Sequence, residues 1–136
     1  MIYYAVIDTN VLVSAMLKGS SISGIIIDKV LNGPIIPLVN SEIMLEYKEA
    51  LSREKFHFRK KDVESLIEQL SRRALFLERT GSPEYFPDPD DIVFYEITLT
   101  AKKDMDAWLV TRNKKHFPVR PFVVTPREML DIIEAE

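Results

Sequence analysis

Cysteine is absent from the 136-residue chain, and histidine occurs only at positions 57 and 116. The lack of thiols excludes disulfides, cysteine nucleophiles and cysteine-ligated zinc sites. Two histidines so far apart in the sequence also argue against a histidine-based zinc site. A metal bound by this chain is therefore expected to be a hard cation held by oxygen atoms.

Long apolar runs are also missing. None is long enough to cross a bilayer, and the first residues lack the basic, apolar and small-residue order of a signal peptide. We therefore expect a cytoplasmic protein without a membrane segment. The net charge of −3 does not indicate indiscriminate binding to nucleic acid, although a local basic patch can still hold a phosphate backbone. Hydrophobic residues make up 46% of the chain, which is enough for one core, so we expect residues 1–136 to form a single domain.

Short β-branched and aromatic runs alternate with amphipathic stretches along the chain. Buried strands are predicted at residues 3–7, 35–39, 107–111 and 122–124. Helices are predicted after residue 10, over residues 22–31, 42–53, 61–78 and 88–101, and after a cap at Thr125, with a loop at 80–89. This alternation predicts an α/β fold with a parallel sheet covered on both sides, in which ligands bind at the carboxyl ends of the strands.

The stretch "VIDTNVLV" places Asp8 where the first predicted strand meets a helix. A carboxylate there can simply cap the helix, because it accepts hydrogen bonds from the unpaired backbone N–H groups. Thr9 or Asn10 could cap the helix equally well. Asp8 would then be available for a ligand, with Thr9 and Asn10 as the caps.

Glu46 borders the apolar stripe of its predicted helix, because it lies three residues after Ile43 and four before Ala50. Glu42 and Glu49, on the same helix, face further toward solvent. Glu46 is therefore the inward-facing acid of this helix, although a glutamate whose stem packs on the core would give the same pattern.

Three aspartates lie at the start of the next predicted helix. Asp88 fits the cap, Pro89 the first helical position and Asp91 the third, where an acid favours the positive end of the helix. Asp90 has no such structural role. The three carboxylates also come together at one helix start, where a cation would relieve their repulsion.

Asp106 directly precedes the strand "AWLVT", where a loop aspartate is the ordinary interpretation. Arg112, Lys114 and Lys115, followed by His116, come after the carboxyl end of that strand, where a phosphate-bearing ligand would lie. A solvated basic loop is the alternative. Acids from four separate segments thus fall at helix starts, strand ends or an inner helix edge, as a site for Mg²⁺ or Mn²⁺ assembled by folding requires.

The segments "YAVIDTNVLVSAML", "SEIMLEYKEAL", "DPDDIVFYEI" and "DAWLVTRNKKHF" resemble, in order and spacing, the four acidic motifs of the PIN-domain family. They look most similar to its prokaryotic branch of toxin components of toxin–antitoxin pairs. The resemblance implies a three-layer α/β/α fold and a Mg²⁺- or Mn²⁺-dependent ribonuclease that hydrolyses RNA. It also implies an antitoxin as partner and a dimeric toxin.

By position, the resemblance identifies four acids as catalytic and metal-binding: Asp8, Glu46, Asp91 and Asp106. It gives three supporting residues, Asn10, Asp90 and Asn113, and the residues that follow the last motif strand are the RNA-binding candidates, Arg112, Lys114 and Lys115. The third acid can be either Asp90 or Asp91. Many relatives read Gly-Asp where this chain has Arg112-Asn113, so an amide replaces a carboxylate and binds a cation less strongly.

Three other functions are compatible with the pattern. The first is a catalytically weak or inactive PIN-like module that binds RNA or a partner protein, which the amide at position 113 favours. The second is a phosphohydrolase with an aspartyl-phosphate intermediate, which usually requires an aspartate where this chain has Asn10. The third is a receiver-like signalling domain, which needs a lysine after a late strand and lacks an inward-facing helical glutamate.

Overall fold

The structure is a computed structural model that describes residues 1–82, 84 and 86–135. Its strands form one parallel sheet in the order β3-β2-β1-β4-β5, with the bounds β1 (Tyr3–Ile7), β2 (Ile35–Val39), β3 (Leu75–Phe76), β4 (Ala107–Val110) and β5 (Val123–Val124). The central strands are almost wholly apolar because helices cover both of their faces. The predicted α/β class with a parallel sheet is confirmed.

The helices within the described residues are α1 (Thr9–Leu17), α2 (Ile22–Asn32), α3 (Ser41–Leu51), α4 (Lys60–Arg73), α5 (Ile92–Lys102) and α6 (Pro126–Glu134). Helix α2 packs against α1, α4 and α6. Helix α5 instead packs on β1, β2 and β4 and contacts α3. Helices therefore flank the sheet in the three-layer arrangement that the sequence predicts.

Two helices begin with side-chain caps, and the cap at Thr125 is the one that the sequence predicts. The Asn40 side chain accepts a hydrogen bond from the Ile43 backbone N–H over 2.8 Å at the start of α3. Thr125 and Glu128 form a reciprocal capping box at the start of α6. Such a signal can be read from the sequence because a cap involves residues only three positions apart.

The predicted helix over residues 61–78 is too long. Helix α4 ends at Arg73, and Leu75–Phe76 form the edge strand β3, in which Leu75 pairs with Leu38 of β2. The Arg73 side chain donates to the carbonyls of Val30 and Gly33, which holds the chain against the start of β2. The helical spacing of apolar residues continues beyond Arg73, where α4 ends. The residues that follow pair with the open edge of β2 and form a strand instead.

The predicted helix over residues 88–101 also begins differently. A 3₁₀ turn covers Pro89–Asp91, and α5 begins at Ile92. Asp88 caps the turn, since its carboxylate accepts from the Asp90 N–H over 2.9 Å. In the loop predicted at 80–89, Pro83 and Tyr85 lie outside the described residues.

Strand β1 is the switch point of the sheet, because it pairs with β2 on one side and with β4 on the other. Ile7 lies opposite Val110, and the Asp8 N–H donates to the Val110 carbonyl over 2.9 Å. The residues after β1 and after β4 therefore meet at one edge of the sheet.

No single helix in the described part of the chain is long and apolar enough to cross a membrane. Helices α1 and α2 meet that criterion only as a pair, across a bend of 105°.

Candidate active site

Asp8 lies at the carboxyl end of β1 and is 6% exposed. It occupies the N-cap position of α1, but its side chain forms no capping hydrogen bond there. The Thr111 hydroxyl instead donates to Asp8 Oδ2 over 2.7 Å. A side chain after β4 thus orients the carboxylate after β1.

The prediction that Thr9 and Asn10 cap α1 is wrong. The Thr9 hydroxyl is buried without a hydrogen-bond partner among the described residues. Asn10 Oδ1 accepts from the Arg112 backbone N–H over 3.2 Å, so it links α1 to the segment after β4. A tertiary hydrogen bond therefore occupies Asn10, and neither side chain caps the helix.

Burial raises the pKa of Asp8, and the charge of Glu46 raises it further. The Thr111 hydroxyl, the Thr9 N–H and His116 act in the opposite direction. The largest effect is loss of solvent, so the ionised form of Asp8 is less favourable in the protein than in water.

Glu46 is half-buried in α3, whereas Glu42 and Glu49 are exposed, as their spacing predicts. The neighbouring Tyr47 is fully buried, and its hydroxyl donates to the Ile7 carbonyl at the end of β1. This bond anchors α3 to β1 and brings Glu46 close enough to Asp8 for their charges to interact.

Asp91, the last residue of the 3₁₀ turn, also faces Asp8. Its side chain is 14% exposed, and its Oδ2 atom is buried without a hydrogen-bond partner among the described residues. Burial raises the pKa of Asp91 to about 6, with further contributions from the charges of Asp8 and Asp88. Asp90 is exposed and lines an adjacent cleft with Glu46. Of the two residues considered for the third acid, the structure thus brings Asp91 to Asp8.

Asp106 is not brought to this edge of the sheet. It precedes β4, whose first residue, Ala107, lies opposite Tyr4 near the start of β1. The Asp106 side chain is exposed and borders a hollow with Lys102 and Trp108. The expectation that Asp106 meets Asp8 is therefore corrected. Asp106 precedes β4 and Asp8 follows β1, so the two residues lie at opposite ends of neighbouring parallel strands.

Asn113 does lie on the side of Asp8. Its backbone N–H donates to the Thr111 hydroxyl over 3.0 Å, and its side-chain Nδ2 is 2.9 Å from Nε2 of His116. Nδ1 of the same imidazole is 3.3 Å from Oδ2 of Asp91. The segment after β4 therefore supplies a hydroxyl, an amide and an imidazole to the site in place of a fourth carboxylate.

The three predicted RNA-binding residues follow β4 at the same edge. Arg112 and Lys115 are exposed, and Lys114 lies 3.1 Å from Glu128 of α6. They are close in sequence to Asn113 and His116. Their contact with RNA stays a prediction.

Thr111, Tyr47 and His116 were not among the candidate site residues. The register between β1 and β4 is what brings Thr111 to Asp8, and a single sequence does not reveal that register. Tyr47 has the spacing of an ordinary core residue. In the sequence, His116 belongs to a basic cluster. Only the fold shows that it contacts Asp91.

The PIN-domain family model matches residues 4–115. The chain belongs to the PIN-domain family. This is a family of nucleases that typically use divalent metals. No curated protein and no solved structure matches the chain significantly. The matched region includes the four candidate acids, Asp8, Glu46, Asp91 and Asp106.

The acids of this PIN domain offer carboxylate oxygens and negative charge, which a hard divalent cation prefers in its ligands. Asp8 is buried and Asp91 is largely buried beside it, the charge of Asp8 raises the pKa of Asp91, and Asp91 Oδ2 has no hydrogen-bond partner among the described residues. Within the described residues, no three acidic or histidine side chains are already arranged as metal ligands. Mg²⁺ usually retains several waters, so two carboxylates and flanking groups are enough to hold it.

Proposed function

We propose that this PIN domain is a Mg²⁺- or Mn²⁺-dependent ribonuclease and the toxin of a toxin–antitoxin pair. The observation that carries the proposal is the placement of Asp91 beside Asp8: burial raises the pKa of both carboxylates, the charge of Asp8 raises the pKa of Asp91 further, and the charge of Glu46 raises that of Asp8. Buried like charges are unfavourable unless a cation compensates them. The family supplies the second support, since its members are nucleases that use divalent metals.

Asp8 and Asp91 would hold the cation, with Glu46 beside Asp8. When bound, a divalent cation supplies an activated water and neutralises the charge that develops on the scissile phosphate. Thr111 keeps Asp8 in one orientation through its hydrogen bond. Asn10 fixes the segment after β4 through the Arg112 N–H, so the acids and the basic residues keep a constant separation.

The substrate in this proposal is RNA, bound through its phosphates. Lys115 is exposed beside the site, and Lys114 is exposed enough to exchange its contact with Glu128 for a phosphate. Each phosphate contact that is lost should weaken RNA binding and reduce its salt dependence. For Lys115→Gln we expect weaker binding at low salt in fluorescence anisotropy, and an unchanged affinity would contradict its role.

Cleavage of a mixed panel of labelled RNAs tests the proposal directly. Wild type, Asp8→Asn and the matched control Asp104→Asn, an exposed loop aspartate, are each assayed with Mg²⁺, Mn²⁺ or EDTA. Wild type and the control should cut RNA only with metal, and Asp8→Asn should lose roughly 10³-fold in rate. Circular dichroism checks that every variant is folded.

Cleavage that persists in Asp8→Asn or in EDTA would contradict the proposal. If none of the proteins cuts although the metal binds, the chain is better described as a PIN module that binds RNA or a partner. The absence of a carboxylate at Asn113 favours that second function, and RNA binding without cleavage would support it.

Partner binding belongs to the same proposal, with an antitoxin as partner and a dimer as the oligomeric state. Helix α2 offers no exposed apolar contact at Ile26 or Val30, because both side chains are fully buried. Helices α3 and α4 instead border an open, mainly apolar groove of about 680 Å³, lined by Met44, Ile67 and Phe76. Light scattering should show a dimer that Ile67→Glu dissociates, whereas a monomeric wild type would contradict the dimer.

A further inference from the structure

The imidazole of His116 contacts the carboxylate of Asp91 in the candidate site. Its Nδ1 atom lies 3.3 Å from Asp91 Oδ2, and its charge also acts on Asp8. Oδ2 is the oxygen that accepts no hydrogen bond among the described residues. The imidazole therefore faces a buried carboxylate oxygen that accepts no hydrogen bond among the described residues.

The separation between these two atoms is informative. A charge-assisted hydrogen bond from a protonated imidazole to a carboxylate is typically about 2.7–2.9 Å long. Two neighbouring ligands of one octahedral cation, each about 2.1 Å from it, are roughly 3 Å apart. The observed 3.3 Å is longer than such a hydrogen bond and lacks its geometry, and it leaves room for a cation that both atoms could ligate.

We propose that Nδ1 of His116 ligates the same cation as Asp91 and Asp8, and that Asn113 orients the imidazole for this role. The inference rests on the proposed function only in that a divalent cation binds here. A nitrogen ligand favours Mn²⁺ and Co²⁺ over Mg²⁺, which prefers oxygen. The imidazole would thus add a nitrogen ligand next to Asn113, the amide that stands where many relatives have a carboxylate, and the site would bind Mn²⁺ more tightly than Mg²⁺.

Asn113 is suited to orient His116 because its side chain lies 2.9 Å from Nε2. A carboxamide can present either its NH₂ group or its oxygen by rotating about one bond. With the oxygen toward Nε2–H, the lone pair of Nδ1 points to the Asp91 side. Histidine ligands of metals commonly donate their other N–H to such an acceptor.

The first experiment uses metal-free wild type, His116→Gln and the matched control His57→Gln, which changes the other, exposed histidine. Mn²⁺ is added near pH 7.5, and pulsed electron paramagnetic resonance measures ¹⁴N coupling from a coordinated imidazole. Coupling is expected in wild type and in His57→Gln and is lost in His116→Gln. Calorimetric titration should show that His116→Gln weakens Mn²⁺ by about tenfold or more, with a much smaller change for Mg²⁺.

Asn113→Ala tests the orienting role separately. The ¹⁴N coupling should remain, whereas the affinity for Mn²⁺ should fall by about tenfold. An unchanged affinity would overturn the role of Asn113. If His116→Gln does not fold, the coupling in wild type still decides the main inference.

RNA cleavage by the same preparations separates this inference from the proposed function. Mn²⁺-dependent cleavage by a wild type that shows no ¹⁴N coupling would overturn the histidine ligand and leave the ribonuclease in place. Coupling without cleavage would support the ligand and contradict the ribonuclease. A protein that binds no Mn²⁺ would overturn the histidine ligand.

Discussion

Two buried carboxylates in this protein have opposite surroundings. Glu96 in α5 is 5% exposed and pairs with the Arg79 guanidinium, which also contacts Glu42 over 2.8 Å. Asp8 is 6% exposed and is surrounded by a hydroxyl, an imidazole and other carboxylates. The two carboxylates are almost equally buried. Glu96 faces the opposite charge of Arg79, whereas Asp8 faces the like charge of Glu46.

The difference distinguishes a charge that the fold itself compensates from one that the proposed function leaves for a cation. A buried ion pair that keeps its partner is satisfied within the fold, so Glu96 and Arg79 can connect α5 to the segment after β3 without any ligand. Asp8 forms no ion pair with an arginine or a lysine within the described residues, and the charge of Glu46 makes its ionised form less favourable. In the proposed function, a bound cation would supply the missing counter-charge and would stabilise the folded state.

The largest effect on stability should come from removing the arginine. Arg79→Ala leaves Glu96 buried without its counter-charge, and because the arginine is partly exposed, we expect a loss of roughly 1–3 kcal/mol in the free energy of unfolding.

Asp8→Asn removes an unpaired buried charge and keeps a hydrogen-bonding group for Thr111. In EDTA at pH 7 it should therefore be as stable as wild type or more stable. Urea denaturation measures both, and a loss above about 1 kcal/mol in Asp8→Asn would contradict the contrast.

A dependence on pH should follow from Asp91 in the metal-free protein. The pKa of Asp91 is raised from 3.8 to about 6, so the folded state binds more protons than the unfolded state between these values. The free energy of unfolding therefore falls as the pH rises through this window. Asp91→Asn should be about 1–3 kcal/mol more stable than wild type at pH 7, and the difference should vanish near pH 4. A constant difference between pH 4 and 7 would rule out this titration.

The smallest effect is expected at Asp106. Its side chain is exposed at the opposite edge of the sheet from Asp8, so Asp106→Asn should change stability by less than about 0.5 kcal/mol. RNA cleavage should also stay within about twofold of wild type, because the charge is screened over that separation. A large loss of cleavage would restore the motif-based assignment of Asp106 and contradict its position in the fold.

Much of the architecture was predictable from the sequence because it depends on neighbours along the chain. Strands β1 and β2 have the predicted bounds, and the caps at Asn40 and Thr125 depend on residues only three positions apart. The inward orientation of Glu46 followed from helical periodicity alone. The order of acidic motifs likewise indicated the family before any geometry was known.

The tertiary structure decided which of these acids meet. The sequence placed Asp106 next to a motif strand, but the direction of β4 carries it away from Asp8, while the register of β4 with β1 brings Thr111 and the segment of His116 to the site. Similarly, the turn before α5 directs Asp91 inward and leaves Asp90 exposed. A single sequence specifies residue type and local periodicity, whereas strand register and the facing of a turn depend on contacts between residues as far apart as positions 8 and 111.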